Sequence, residues 1–584
     1  MGVKGFWKVA KALFGQHIYQ IRRGQFAPAP IDNFCIDLNG IVHSEAQAVY
    51  EYGEHAKLQP VIDLGPDPSR TRKILDRKLF QAVCSRIEKL VELTRPRKRL
   101  VLCIDGPVPF SKRKQQRQRR FLAASTSEQK EIELDSDGQP VFSSIEISTG
   151  TRLMTELSSF IREWIDRSMD SLSTRFGLTQ IAFYSDRTLG EGEQNCTAFL
   201  RTCPLTETGC IHGLDADIIM LALASSTSSF FVLRDEMYDR SYEFSFIDIR
   251  SARQEIVRQM EWEETDQGTG QDPQRSIYDF VAMTFMAGND FLPNIPSDEM
   301  GEDGVENMLQ VYRSLSKHLV GLNGDLEVEA LSLFFQYMIQ HEERVILCKL
   351  HPRYFHCPIL SQCAIRVPVV TVTRSDGVEY GPVVTSVPGG IDMKRYKSLY
   401  YQQSIRHSHL SSRPATTAKE ISDLIEMIKR EMAIEYIVGM QWNMRYYIGV
   451  PVSQDWKYPF HYAPFFEDLS AFASQADLSN VVTPFIPNPL LQLISIIPPR
   501  YSYLLPRKMA DLFETSPLKE YCPTTFEIDL GGKHAAYEGI VLLPLVEDQA
   551  FAEHYVSALE SLEPSLKEAL IRIEDLEVYE LASE

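Results

Sequence analysis

Apolar positions along this chain alternate between short continuous runs and helical stripes. Phe6, Ala10, Leu13 and Phe14 share one face, with Lys8 and Lys11 off it, which predicts a helix over 6–14. Such a helix could lie on a membrane surface or act as a transit segment. Packing against its own domain is the commoner fate of the pattern and is expected here. Phe34 to Leu38 predicts a strand ending at Asn39-Gly40, and Leu100 to Ile104 one ending at Asp105-Gly106. Ile181 to Tyr184 leads into Gly190-Glu191-Gly192-Glu193, and Phe230 to Leu233 gives a further strand. Residues 210–224 carry Gly213-Leu214-Asp215-Ala216-Asp217 followed by an apolar helical run. Helical periodicity occupies 71–93, 112–123, 151–170 and 417–448, and an acidic amphipathic helix is expected from about 557 onward. Residues 126–145 and 262–275 read as surface loops, and 366–390, β-branched and rich in Gly and Pro, as a small β element or linker. Strand–helix alternation implies an α/β fold, a mostly parallel central sheet flanked by helices. Ligands in such sheets bind at the carboxyl ends of the strands. Each acidic motif follows an apolar strand, so the carboxylates should meet on one rim.

Composition narrows the class. The 584 residues are 44 % hydrophobic and 24 % charged, which excludes a disordered, collagen-like or coiled-coil chain. No uninterrupted apolar window is long enough for a spanning helix, so no membrane is expected as partner. No secretory leader opens the sequence, and Gly2 is rejected as a myristoylation site because Phe6 stands where Ser or Thr is needed. Ten Cys without a C-x-x-C pair suit a reduced, intracellular protein. Cys348, Cys357 and Cys363 lie near His351 and His356, but the spacing fits none of the usual zinc frameworks. The net charge of −19 argues against bulk nucleic-acid affinity. It conceals a local basic run, and a carboxylate metal site would contribute to it.

Seven acids stand apart from ordinary surface charge: Asp37, Asp105, Glu191, Glu193, Asp215, Asp217 and Asp290. Several lie beside or near Gly, where the backbone turns tightly. Glu191 and Glu193 are two apart, as are Asp215 and Asp217, and in an extended segment that spacing points both side chains one way. Converging carboxylates repel unless cations neutralise them. Oxygen-only ligands select hard ions such as Mg²⁺ or Mn²⁺. Two such ions about 4 Å apart can drive phosphodiester hydrolysis. The bland alternative is a set of strand-end turn acids and helix caps. Lys112 to Phe121 is the most basic stretch, and at helical spacing Lys112, Gln116, Arg119 and Arg120 share a face suited to a terminal phosphate. It could instead be a solvated face or an import patch.

The ordered motifs resemble those of the XRN family of 5′→3′ exoribonucleases. They are Asp37-Leu-Asn39-Gly40-Ile-Val-His43, Asp105-Gly106 running into Lys112–Phe121, Gly190-Glu-Gly-Glu193, Gly213-Leu-Asp-Ala-Asp217 and Gly288-Asn-Asp-Phe-Leu-Pro293. The likeness continues through Gln441-Trp442 to Tyr447, Trp456 to Pro464, Pro487 to Pro506 and Phe526 to Gly539, and the opening Met1-Gly2-Val3 shares it. The resemblance implies a PIN/FEN-like nuclease core over 1–325, a linker with a small β element over 326–416, and a second, mixed α+β region over 417–584. It implies that the seven acids hold two Mg²⁺, with Mn²⁺ able to substitute. Lys112, Gln116, Arg119 and Arg120 would bind a 5′-monophosphate, and His43 and Trp456 would sandwich the 5′ base. The implied substrate is single-stranded RNA with a 5′-monophosphate, degraded processively to nucleoside 5′-monophosphates in RNA decay by a monomer. The cytoplasm is the expected compartment, with the nucleus as alternative if Lys112–Arg120 serves import. Leu189 and Gln194 stand where the family has Pro and His around the Glu pair, and Lys4 where it has Pro. The family's long accessory domains and any zinc knuckle are missing from this sequence. A flap or structure-specific DNA nuclease and an inactive RNA-end-binding scaffold are the competing readings.

Overall fold

The computed structural model describes residues 5–52, 68–126, 142–225, 229–236, 241–262, 270–298, 304–348, 357–371, 374–375, 378–379, 383–413, 415–479, 482–483, 485–531, 533, 535–545 and 548–580. Its centre is an eight-stranded sheet. In chain order the strands are β1 (Ile18–Ile21), β2 (Asn33–Asp37), β3 (Arg99–Cys103), β4 (Gln180–Tyr184), β5 (Gly209–His212), β6 (Phe230–Asp235) and β7 (Phe244–Asp248), closed by a last strand, Glu577–Glu580. Across the sheet the order is β1-β7-β6-β5-β2-β3-β4 and then the last strand. The five central strands β6, β5, β2, β3 and β4 run parallel. The outer pairings are antiparallel.

The central strands are apolar on both faces because helices cover both. All five positions of β2 are buried. On one side Phe34, Ile36, Leu100, Leu102, Ile181 and Phe183 meet α2 (Leu38–Val49), α3 (Pro68–Thr94) and α5 (Arg152–Phe176). On the other side Cys35, Val101, Cys103, Ala182 and Ile211 meet α1 (Phe6–Phe14), α6 (Gly192–Thr202), α7 (Asp217–Ala224), α8 (Ile249–Gln259) and α9 (Pro273–Met286). The helix predicted over 6–14 is α1, and its Phe6, Ala10 and Phe14 are buried against this domain. The long helix Ala418–Ile448 starts at a capping box of Thr417 and Glu420 and stops at Gly449, whose φ is 80°. It lies over α7 and α9, so the second region roofs the rim of the sheet.

Several local expectations shift. Leu38 belongs to α2, because Asp37 caps that helix by accepting the Asn39 N–H at 3.3 Å. The stretch 366–390 forms a hairpin, Ala364–Thr371 against Val383–Ile391, with an irregularity between Pro388 and Gly390. The loop expected at 262–275 is cut short by α9, which Asp272 caps and Pro273 opens. Most of 126–145 lies outside the described residues. The expected terminal amphipathic helix is instead two helices, Asp548–Glu560 and Pro564–Ile571, followed by the strand Glu577–Glu580. Pro564 lacks the N–H that a continuous helix needs, so it opens a new one. The last strand pairs with β4, and Arg162 clamps it through Glu577 and Glu574, each at 2.6 Å.

Candidate active site

Four of the seven acids stand at helix starts on the rim. Asp37 caps α2, Glu191 occupies the cap position of α6 with Glu193 in its first turn, and Asp217 opens α7. Neither pair lies in an extended segment: each straddles a strand-to-helix turn, and that turn aims both members inward. Helix N-termini favour negative charge, which offsets part of their repulsion. Asp105 follows β3 and accepts the Gly192 N–H at 2.7 Å, tying its loop to α6. Its own N–H donates to the Asn39 side chain at 3.1 Å. Gly192 has to be Gly, since a Cβ there would lie 2.5 Å from Asp37 Oδ1. Asp290 follows the turn at Gly288, whose φ is +93°.

The carboxylates share a buried field. Burial and then Asp105 push Asp37 well above the usual carboxylate range. Burial and then Asp217 do the same to Glu193. Glu191 rises to about 7, chiefly through burial, with Lys112 opposing it. Asp217 rises to about 6 through burial and Asp215. Asp217 Oδ1 is buried without a hydrogen-bond partner. Among the described residues no group of three or more His, Cys, Asp or Glu side chains is arranged so that it could hold a metal ion, so the acids converge without forming a ready coordination shell. A lysine stands inside the acid cluster: Lys112 Nζ pairs with Glu191 at 2.9 Å and Asp290 at 2.8 Å. Gln115 adds a hydrogen bond to Asp290 at 3.0 Å. The donor set, all carboxylate oxygen with one orphaned acceptor, is the chemistry that hard divalent cations take. Of the cysteine and histidine group near 348–363, His351 and His356 lie outside the described residues.

The basic run forms α4 (Phe110–Thr126), and it is packed rather than solvated. Lys114 donates to the carbonyls of Tyr458 and Phe460 at 2.8 and 2.5 Å. Arg117 donates to those of Tyr521 and Pro544, and Gln118 to that of Val541. The first N–H groups of α4, which have no partner within the helix, reach Gln454 O at 2.9 Å and Trp456 O at 3.1 Å. The face expected to meet a phosphate is divided: Lys112 turns to the acids, and Gln116, Arg119 and Arg120 remain together. Gln116 accepts from Gln492 at 3.2 Å. Arg120 donates to the Ser148 hydroxyl at 2.7 and 3.0 Å, a neutral partner. Burial and then Arg119 push Arg120 down to about 9. Two guanidiniums side by side with a neutral partner are a donor set suited to an anion.

His43, on α2, is half-buried, and burial with Arg119 and Arg120 pushes it down to about 4, so it is neutral at pH 7. Trp456 stacks on Trp442 with centroids 5.1 Å apart and planes at 28°. Trp442 in turn stacks on Tyr446 at 4.9 Å and 15°. Asn39, Gln115, Ser148, Gln492 and Tyr446 also belong to the site; all but Ser148 lie inside the stretches noted in the sequence, yet none is singled out there as a site residue. Gln115 alone had a usable signal, its spacing of three from Lys112.

Residues 1–236 match the family model described as the XRN 5′-3′ exonuclease N-terminus, and residues 271–353 and 415–574 match the Xrn1 helical domain. The 5′-3′ exoribonuclease 1 of Homo sapiens is 25 % identical over 92 % of this chain and 33 % of its own length. The 5′-3′ exoribonuclease 2 of Arabidopsis thaliana is 25 % identical over 91 % of this chain and 63 % of its own. The 5′-3′ exoribonuclease 1 of Saccharomyces cerevisiae is 24 % identical over 97 % and 44 %. The chain thus spans between about a third and two thirds of the length of these relatives. A solved structure of the catalytic core of Rad2 in complex with DNA substrate is 15 % identical over 59 % of this chain and 74 % of that one, with a TM-score of 0.27, too slight to bear on the chemistry.

Proposed function

The chain belongs to the XRN family, and on that premise we propose that it is a 5′→3′ exoribonuclease acting on single-stranded RNA with a 5′-monophosphate. One observation carries the reading: a buried carboxylate cluster stands beside two guanidiniums, Arg119 and Arg120, that repel one another, and among the described residues Arg120 donates only to neutral oxygens. A chain end with a terminal phosphate and a scissile phosphate next to it fits both halves. Asp37, Asp105, Glu191, Glu193, Asp215, Asp217 and Asp290 would hold two Mg²⁺ ions, or Mn²⁺ in their place. Such ions supply neutralising charge and a water activated for attack on the phosphodiester.

The chain's own groups do the rest. Arg119, Arg120 and Gln116 hold the terminal phosphate, and Lys112 bridges between that phosphate and the acids. Neutral His43 and Trp456, braced by Trp442, take the first base between them, and such stacking accepts any base. Cleavage leaves a new 5′-phosphate on the shortened RNA, which suits the same pocket and permits processive advance. The packing of α4 favours a phosphate pocket over an exposed import patch.

The test is a time course on one single-stranded RNA bearing a 5′-monophosphate, a 5′-hydroxyl or a 5′-triphosphate, with Mg²⁺ or EDTA. An Asp215→Ala/Asp217→Ala variant runs alongside. Mg²⁺-dependent mononucleotide release from the monophosphate RNA alone, lost in the variant, is expected. Equal cleavage of all three ends, or tight binding with no cleavage, would overturn the reading.

A further inference from the structure

Among the described residues two members of the aromatic stack, Trp456 through Nε1 and Tyr446 through its hydroxyl, leave a polar atom without a partner, and Tyr446 is the one at the acid end. Its hydroxyl is buried and has no hydrogen-bond partner among the described residues. A buried hydroxyl without a partner is costly, so an unpaired one beside the acid cluster calls for a ligand. The ring cannot swing away to satisfy it. Trp442 stacks on one side at 4.9 Å, and Phe291 meets it edge-on at 5.3 Å.

Its position is informative. Glu191, Lys112 and Glu193 are the charged groups in whose field the Tyr446 hydroxyl lies. Glu191 and Glu193 belong to the acids placed above at the scissile phosphate, and Lys112 bridges from them to the terminal phosphate. At the other end of the same stack is Trp456, assigned to the first base. In a nucleotide, the ribose lies between base and 3′-phosphate. Tyr446 therefore occupies the level of the first sugar, facing the side on which the 3′-phosphate leaves. The 2′-hydroxyl is the polar group next to that phosphate, and it both donates and accepts.

We propose that Tyr446 hydrogen-bonds the 2′-hydroxyl of the 5′-terminal nucleotide, so that this side chain distinguishes RNA from DNA at the cleaved residue. The inference rests on the exoribonuclease reading and deepens it. A site built to pair a substrate hydroxyl discriminates well against the analogue that lacks it, since the protein group is then stranded. The contact leaves the acids and the arginine pocket untouched, so its loss should be confined to the sugar.

The experiment compares wild type with Tyr446→Phe on two 5′-monophosphorylated RNAs that differ only in the first nucleotide, ribo or 2′-deoxy. Initial kcat/KM for release of that nucleotide is the readout. Wild type should prefer the ribo end by about fivefold to tenfold, the worth of one neutral hydrogen bond. Tyr446→Phe should lose that factor on the ribo end and nothing on the deoxy end. Equal losses on both ends, or an undiminished preference in the variant, overturn the assignment while leaving the exoribonuclease reading intact. Failure of wild type to cleave either substrate overturns both. A thermal melt of Tyr446→Phe no lower than wild type accompanies the supporting result; a lower melt with equal losses identifies a purely structural role.

Discussion

Arg120→Met should raise stability and lower activity together. The guanidinium sits beside Arg119, and burial with that neighbour brings it from 12.5 down to about 9. At about 1.4 kcal/mol per tenfold change in proton affinity, holding the charge costs on the order of several kcal/mol. Because a cation with a lowered folded pKa is disfavoured throughout the range below it, the cost is complete below about pH 9 and fades only as pH rises towards 12.5. Against it stand the hydrogen bonds to Ser148 at 2.7 and 3.0 Å, each contributing about 1 kcal/mol. Ser148 also donates to Ile145 O at 2.6 Å, so the substitution does not strand its hydroxyl proton. Met fills similar volume without the charge, and the balance favours the variant by about 1 kcal/mol or more. A Tm rise of roughly 1–3 °C follows. With substrate, the lost charge-assisted bonds to phosphate should lower kcat/KM for 5′-monophosphate RNA by about tenfold to a hundredfold. The rate on 5′-hydroxyl RNA should barely move. Melting curves and competition between the two RNAs measure both quantities. A variant that melts several degrees lower, or that keeps its preference for the monophosphate, would refute the reasoning.

Other substitutions probe other parts of the site. Trp456→Ala should raise KM by roughly fivefold to a hundredfold, since stacking is worth about 1–3 kcal/mol per base, and Trp456→Phe should recover most of the loss in steady-state kinetics. Gly192→Ala would put a methyl 2.5 Å from Asp37 Oδ1 and 3.3 Å from Cys103 O, displacing an acid and the loop that Asp105 ties down; kcat should fall by about a hundredfold or more, and wild-type turnover would contradict the geometry. At the opposite end of the strands, burial opposes ionisation of Glu207, but hydrogen bonds from Lys98, Asn33 and Arg99 outweigh it and lower the carboxyl to about 2. Its stabilisation is present above the unfolded value near 4.5 and vanishes as pH falls through 2. Glu207→Gln should therefore lower Tm at pH 7 and narrow its deficit against wild type as pH drops from 5 to 2, followed by circular dichroism; a deficit constant with pH would sink the assignment.

The strands β2, β3, β4 and β6 and the rim beyond them were legible in the sequence because buried parallel strands are continuous apolar runs that acidic motifs follow, whereas the antiparallel outer strands β1 and β7 gave no such signal. Asp37, Glu191 and Asp217 were readable as strand-end acids, but their convergence comes from helix starts, which a spacing of two residues does not reveal. The basic helix was visible as charge, whereas its burial was not. Lys114, Arg117 and Gln118 donate to carbonyls more than 340 residues away, and nothing local encodes those partners. Ser148 beneath Arg120 and Gln492 beside Gln116 escaped notice for the same reason. The many acids of the chain end mimic a solvated helix face, which is why the pattern there points to a helix. The alternation of Glu577, Val578, Tyr579 and Glu580, in four residues beside an open sheet edge, is a strand signal too short to compete.

The most direct test of the central claim follows the first nucleotide off the chain. A single-stranded RNA labelled on its 5′-phosphate is incubated with the protein and Mg²⁺, and products are resolved at the earliest times. The account predicts that the label appears at once as a nucleoside 5′-monophosphate, with no labelled fragment of intermediate length. Labelled oligonucleotides, free phosphate, or an intact labelled strand would each contradict it.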